Sequence, residues 1–205
     1  MATINLFGAS GHSKVIKDII EADGNRVGCL YDDSPHCEDI HGVLVFKASE
    51  RDVSGPLIIS IGSNRVREMI ANRYPLVYAT AVHPSAIISK YASIGPGTVV
   101  MQGAIIQSDV RIGNHCIVNT GASIDHECVL GDYIHISPHA TLCGNVQVGK
   151  GAWVGAGATV IPGIRIGEWS TIAAGATVIR DVPPHTTVAG TPAQPLIKGS
   201  KVKDQ

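Results

Sequence analysis

The sequence predicts two units of different construction: an N-terminal α/β Rossmann-like domain over residues 1–81 and a parallel β-helix over residues 82–195, followed by a tail at 196–205. Three observations predict this. An aliphatic residue recurs at every sixth position through the second half. Small residues tend to stand two positions ahead of it. The first half lacks that period and instead alternates strand-like and helix-like runs.

The period of six comes first. From Ile88 through Ile94, Val100 and Ile106 to Ile172 and Val178, every sixth residue is Ile, Leu or Val, with no insertion. A helical period of 3.6 drifts off six, and a half-buried strand needs apolar residues at every second site. Two positions earlier stand Ala86, Ala92, Thr98, Ala104, Cys116, Ala122, Cys128 and Ala140, and glycine often follows the aliphatic residue, as at Gly95, Gly113 and Gly131. The pattern describes a triangular prism. Each hexapeptide is a short strand and a corner, three make a coil, and about five coils follow from this run.

In the first half, Ile4–Phe7 reads as a buried strand. Gly8-Ala9-Ser10-Gly11-His12 reads as a turn, and 13–22 as a helix with Val15, Ile16, Ile19 and Ile20 on one side. Residues 28–31 form a second strand that ends at Asp32-Asp33. Residues 57–61 form a third, ending at Gly62, before a helix over 65–74. Open α/β sheets bind ligands at strand carboxyl ends. The turn at Gly8–His12 opens a helix whose backbone amides suit a phosphate. Its spacing is not G-x-G-x-x-G, so NAD is not expected. Asp32 stands where such folds place an acid on a ribose hydroxyl. His83-Pro84-Ser85-Ala86 reads as the link between the halves.

Composition narrows the function classes. The formal net charge is −1, so no broad basic surface for nucleic acid is expected. No apolar run is long enough for membrane insertion. MATINLFGASGH lacks a basic segment followed by an apolar one, so no secretory signal is expected and the cytoplasm is the expected location. The 5 cysteines are irregularly spaced without C-x-x-C, which argues for buried thiols, not a disulfide framework or a metal site.

Polar residues on a β-helix stand out because the rungs are otherwise scaffold. The densest group is Asn119-Thr120-Gly121-Ala122-Ser123-Ile124-Asp125-His126-Glu127, with His135 and His139 beyond it. Acyl transfer from a thioester needs a base for the acceptor and a donor for the oxyanion. His126 is the candidate base. Asp125 or Glu127 reaches its ring only if the backbone turns there, because strand neighbours point to opposite faces. Gly144 stands one coil above His126, where its N–H can face the thioester oxygen.

GASGHSKV, the YDD turn, SIGSN, HPSA, NTGASIDHECVLGDYIHISPHATLCGNVQVG and AGTPA together resemble the hexapeptide-repeat sugar acetyltransferases. They are most similar to the bacterial UDP-4-amino-sugar N-acetyltransferases. The resemblance implies a left-handed prism and acetyl-CoA as co-substrate, with no permanently bound cofactor. It implies a homotrimer with active sites between subunits and a UDP-linked amino sugar as acceptor. It assigns His126 as base with Glu127 as its acidic partner, and His135, Ala156 and Ala174 to acetyl-CoA. Gly11, His12, Ser13, Asp32 and Asp33 fall to the nucleotide-sugar, with Ser60 and Gly62 nearby.

Three other readings keep the fold. The acceptor is a hydroxyl of sialic acid or another sugar; or the prism carries a three-histidine zinc site; or it is a scaffold without activity. The 9 histidines show no second H-x-x-x-x-H pair suited to zinc, and a scaffold has no need of Asp125-His126-Glu127.

Overall fold

A computed structural model describes residues 1–196. The expected tail at 196–205 therefore lies outside the described residues apart from Leu196. The N-terminal unit runs β1 (Thr3–Phe7), α1 (Gly11–Ala22), β2 (Arg26–Asp32), β3 (Asp39–Ile40), β4 (Val43–Lys47), β5 (Leu57–Ile59) and α2 (Asn64–Arg73). Its sheet has the order β3-β4-β2-β1-β5. β1 is parallel to both β2 and β5, and only β3 is antiparallel. Strand order reverses at β1, so the loops after β1 and β5 open onto the crevice where such sheets take ligands. The expected strands and helices are present. The β3–β4 hairpin is additional, its turn made by His41 and Gly42 at positive φ.

From Ala81 onward the chain winds into a prism of three parallel sheets. The first face carries Ile87–Ile88 and its equivalents up to Thr177–Val178. The second carries Ser93–Ile94 up to Arg165–Ile166. The third carries Ala81–Val82, then Val99–Val100 up to Thr187–Ala189. Each strand pairs with the one a coil later, as Ile117 with His135 and His135 with Trp153. The six-residue aliphatic positions point inward: Val118, Ile124, Ile136, Leu142, Val154 and Val160 are fully buried. The small positions fill the corners beside them. Cys116 and Cys128 are buried there, and all five cysteines are free. The inward residues from Val100 to Val188 form one contiguous buried cluster, so the core is one continuous column.

From Gly97 to Gly175 each corner is turned by a residue in the left-handed region. Where it is not glycine it is often Asp, Asn or His, as at Asp109, His115, His139 and Asn145, the types that tolerate positive φ best. The expected link His83–Ala86 is itself the first corner of the prism, closed by the Ala86 N–H on the His83 carbonyl without positive φ, and Ser85 Oγ accepts the Gly103 N–H of the next coil at 3.1 Å. The last coil is shorter: Ile166 bridges Val182 and Ile172 pairs with Val188, and Gln194–Pro195 then folds back antiparallel on the final strand. That return covers the sheet edge that another coil would otherwise extend.

The N-terminal unit sits on the third face. Ile16, Ile19 and Ile20 of α1 share one core with Ala81, Val99 and Ile117. α2 lies along the edge between the second and third faces. There Asn64 Nδ2 donates to the Gly151 carbonyl, Glu68 pairs with Lys150, and the Arg65 guanidinium stacks over Trp169. The edge between the first and second faces, opposite the third face, carries no part of the N-terminal unit.

Candidate active site

His126 and Glu127 occupy that opposite edge. Glu127 takes φ 61, and this turn answers the geometric problem of adjacent residues. Its Oε2 lies 3.1 Å from His126 Nδ1, whereas Asp125 Oδ1 accepts the backbone N–H of His126 at 2.8 Å. Glu127 is therefore the acid on the ring, and Asp125 holds the corner. Pairing through Nδ1 leaves Nε2 without a hydrogen-bond partner among the described residues.

Gly144, one coil further along, lies against the ring. A Cβ built there would stand 2.6 Å from both Cε1 and Nε2 of His126. The imidazole can rest on the next coil only because residue 144 has no side chain. The amides of Cys143 and Asn145 are bonded to the carbonyls of Val160 and His126. Among the described residues, the Gly144 N–H has no backbone acceptor. A basic nitrogen and a free backbone donor on one corner suit acyl transfer.

The other expected residues gather elsewhere. His135 lies on the third face, where its Nε2 is 3.1 Å from Asn119 Nδ2. It faces the N-terminal unit. Burial, with the nearby charges of Arg67 and His12, lowers its pKa to about 3 against a raising contribution from the Gly62 backbone. His12, at the start of α1, is likewise held to about 4 by burial and then by Arg67. The expected nucleotide residues His12 and Gly62 thus meet the expected coenzyme residue His135 at one junction. Ala156 and Ala174 are exposed one coil apart on the edge between the third and first faces, with the Ala156 carbonyl bonded to Gly175 N–H.

The Gly8–His12 loop is stabilised from β2. Asp32 Oδ2 accepts the Ala9 N–H at 2.8 Å, and its Oδ1 accepts the Ser34 N–H at 2.8 Å. Ser13 is buried, its hydroxyl donating to the Ser10 carbonyl. Ser60 is also buried, and its hydroxyl donates to the carbonyls of Phe7 and Gly8, so it shapes the loop from behind. Asp33 forms a two-pronged ion pair with Arg73 at 2.9 Å. Gly11 is exposed and lines a cleft of about 400 Å³ with Ala9, Ser10, Lys14, Asp39 and His41. Lys14, Asp39 and His41 were not expected from the sequence. Asp39 and His41 belong to the unforeseen hairpin, while Lys14, a cation on the first turn of α1, was a signal available to sequence reasoning.

Sequence comparison matches residues 3–74 to the PglD N-terminal domain and residues 145–180 to the bacterial transferase hexapeptide repeat. A UDP-N-acetylbacillosamine N-acetyltransferase of Bacillus subtilis is 43% identical over 120 residues, 49% of this chain, and the match spans about half the length of that curated relative, 52%. Among solved structures, a variant of perosamine N-acetyltransferase from Caulobacter crescentus, in complex with CoA and GDP-perosamine, superposes with a TM-score of 0.90 at 34% identity. That match covers 97% of this chain and 98% of the other. This chain belongs to the hexapeptide-repeat nucleotide-sugar N-acetyltransferases. The acetyltransferase domain of PglB from Neisseria gonorrhoeae also matches, at TM-score 0.87 and 33% identity over 95% of this chain and 99% of that one. These family members wind left-handed, and a prism of opposite hand does not superpose so completely. The left-handed parallel β-helix therefore holds here. No helix among the described residues is long and apolar enough to cross a membrane.

The junction histidines imply a pH dependence. His12, His115 and His135 have folded values of about 4, 4 and 3, all below the ordinary 6.5 and all lowered mainly by burial. Below pH 6.5 the unfolded chain takes up protons at these rings and the folded chain does not. Their contribution is therefore intact above about 6.5 and declines as pH falls through about 4. The urea midpoint at pH 5 is expected to lie below that at pH 7.5, and by less in His115→Phe. Equal pH shifts in the two chains would show that His115 is not shielded.

Proposed function

We propose that this chain transfers the acetyl group of acetyl-CoA to the 4-amino group of a UDP-linked 4-amino-6-deoxy sugar, in the cytoplasm. The observation that carries the reading is the His126–Glu127 pair at 3.1 Å, seated on the side-chain-free Gly144. The amine nitrogen attacks the thioester carbonyl. The C–N bond forms, the C–S bond breaks, and coenzyme A leaves as the thiolate. His126 accepts the proton that the amine loses and passes it on to the thiolate or solvent. Glu127 favours the imidazolium, and the Gly144 N–H faces the oxyanion. Gly11, His12, Ser13, Asp32 and Asp33, with the Ser60–Gly62 loop, hold the nucleotide-sugar. His135 and the backbone at Ala156 and Ala174 hold the coenzyme.

A single chain carries the base on the edge opposite its own nucleotide unit. The site is therefore completed by a neighbouring prism, and the assembly is a homotrimer with three-fold symmetry. Two features favour UDP as the nucleotide: the Bacillus relative acts on a UDP-sugar, and the motifs resemble the UDP-4-amino-sugar enzymes. Coenzyme A release across a panel of UDP- and GDP-linked amino sugars tests this. The UDP-linked 4-amino sugar is expected to give the highest kcat/KM, and light scattering a trimer. Release only with acceptors that lack an amine would replace the reading with O-acetylation. A fully active monomer would remove the shared site.

Asp32 anchors the loop amide at Ala9. Asp32→Ala is expected to raise KM for the nucleotide-sugar about tenfold, the scale of losing a charge-assisted hydrogen bond, with a much smaller change for acetyl-CoA. Equal effects on both substrates would count against a separate nucleotide site.

A further inference from the structure

Arg67 is the largest side chain fully enclosed in the molecule, 1% exposed. Among the described residues, its guanidinium has hydrogen bonds to uncharged oxygens alone. Nη1 donates to the carbonyls of Ile61 and Gly62 at 3.0 and 2.8 Å. Nε donates to the His115 carbonyl at 3.0 Å. Nη2 donates to Asn64 Oδ1 at 2.7 Å and to the carbonyls of Tyr133 and Ile134 at 3.1 and 3.3 Å. Burying a cation without a carboxylate costs several kcal/mol unless its donors are fully satisfied. A bolt between two units does not require that arrangement, since Asn64, Arg65 and Glu68 already fasten α2 to the same edge.

What sets Arg67 apart is what it joins. One side of the fork grips the turn at Ile61–Gly62 in the nucleotide unit. The other grips the peptide that leads directly into His135. We propose that Arg67 is a positioning residue: its fork fixes the Gly62 turn against the His135 strand and so sets where the nucleotide-sugar meets the coenzyme. This rests on the transfer reading above. Lysine keeps the charge but has no planar fork, so it cannot span both sets of carbonyls.

The test uses the full-length chain with Arg67→Lys and, as a control on the same helix, Glu68→Gln, which loosens only the 2.6 Å pair with Lys150. A misplacement of about 1 Å costs on the order of 100-fold in rate. In Arg67→Lys, kcat at saturation is expected to fall about 10- to 100-fold. The Kd for UDP, measured by calorimetry, should change less than about threefold, because the nucleotide contacts lie within one unit. Glu68→Gln should keep kcat. A native kcat in Arg67→Lys with a lowered Tm overturns the proposal, since a purely structural bolt behaves that way. So does a loss that tracks UDP affinity alone.

A second readout is independent of catalysis. The His135 ring, followed by NMR, should remain neutral down to pH 4 in the native chain and titrate at higher pH in Arg67→Lys, because the junction opens and relief of burial, the largest cause of the low value, outweighs loss of the raising contact with Gly62. Because the charge is retained, this shift reads position. If the native chain transfers no acetyl group, the functional reading fails. The ring titration then decides the Arg67 proposal, and an unchanged midpoint overturns it. Should Arg67→Lys not fold, Asn64→Ala, which removes one oxygen that orients the fork, is expected to give a milder form of both effects. Native values in that variant count against the proposal.

Discussion

Replacement of His126 by alanine is expected to lower kcat by about 10²- to 10⁴-fold, the range that a positioned general base contributes. KM for either substrate should change far less, because the side chain acts in the transition state more than in ground-state binding. Glu127→Ala should cost less than His126→Ala. Its carboxylate reaches the reaction only through His126 Nδ1, at 3.1 Å. The two losses should not add, since the residues form one unit. The decisive measurement is single-turnover acetyl transfer below neutral pH, where the acceptor amine is protonated and most needs a base. If His126→Ala keeps most of its rate there, His126 is not the base. The amine would then react through proximity alone, or through His135.

The second large effect is expected from a single methyl group. Gly144→Ala places a Cβ where the His126 ring now lies, 2.6 Å from Cε1 and Nε2. No real Cβ contact is that short, so one partner must move. The ring is exposed and free to swing, whereas the residue 144 backbone is tied to the next coil through Gly163 N–H and the Gly144 carbonyl at 3.0 Å. The imidazole is therefore the part displaced. kcat should fall about 100-fold, as for a misplacement of about 1 Å, while the urea midpoint stays close to native. Glycine 144 does not take positive φ, so alanine meets no backbone penalty there. A Gly144→Ala chain with native kcat would show that the ring does not need this seat. A chain that loses stability along with rate would show that the glycine serves the coil before it serves the base.

The two predictions differ in how visible their residues are before folding. His126 stands out in the chain because Asp125, His126 and Glu127 interrupt a scaffold repeat with three consecutive ionisable residues. Gly144 stands one coil from His126, and the strict period makes that neighbourhood legible in the chain. Sequence alone left Asp125 and Glu127 equivalent on geometry. A positive φ at Glu127 separates them, and no linear pattern encodes that angle. Lys14, Asp39 and His41 converge on one cleft through a hairpin whose strands are too short and too exposed to announce themselves by periodicity.

The prism was legible from the amino-acid order because its contacts are local in register. Each inward aliphatic residue meets its equivalent one coil away, as Val118 meets Ile136 and Ile136 meets Val154 in a pairing that repeats along the face. A period of six therefore specifies strands, corners and core together. The alternation of strands and helices in the first half was legible for the same reason, since amphipathic spacing is a property of short segments. The placement of the N-terminal unit on the third face was not. It depends on Ile16, Ile19 and Ile20 meeting Ala81, Val99 and Ile117, and on Arg67 reaching carbonyls far along the chain. Those contacts join surfaces whose spacing in sequence carries no period. Tertiary structure alone decided that His135 faces His12 and Gly62, and that His126 looks away from both.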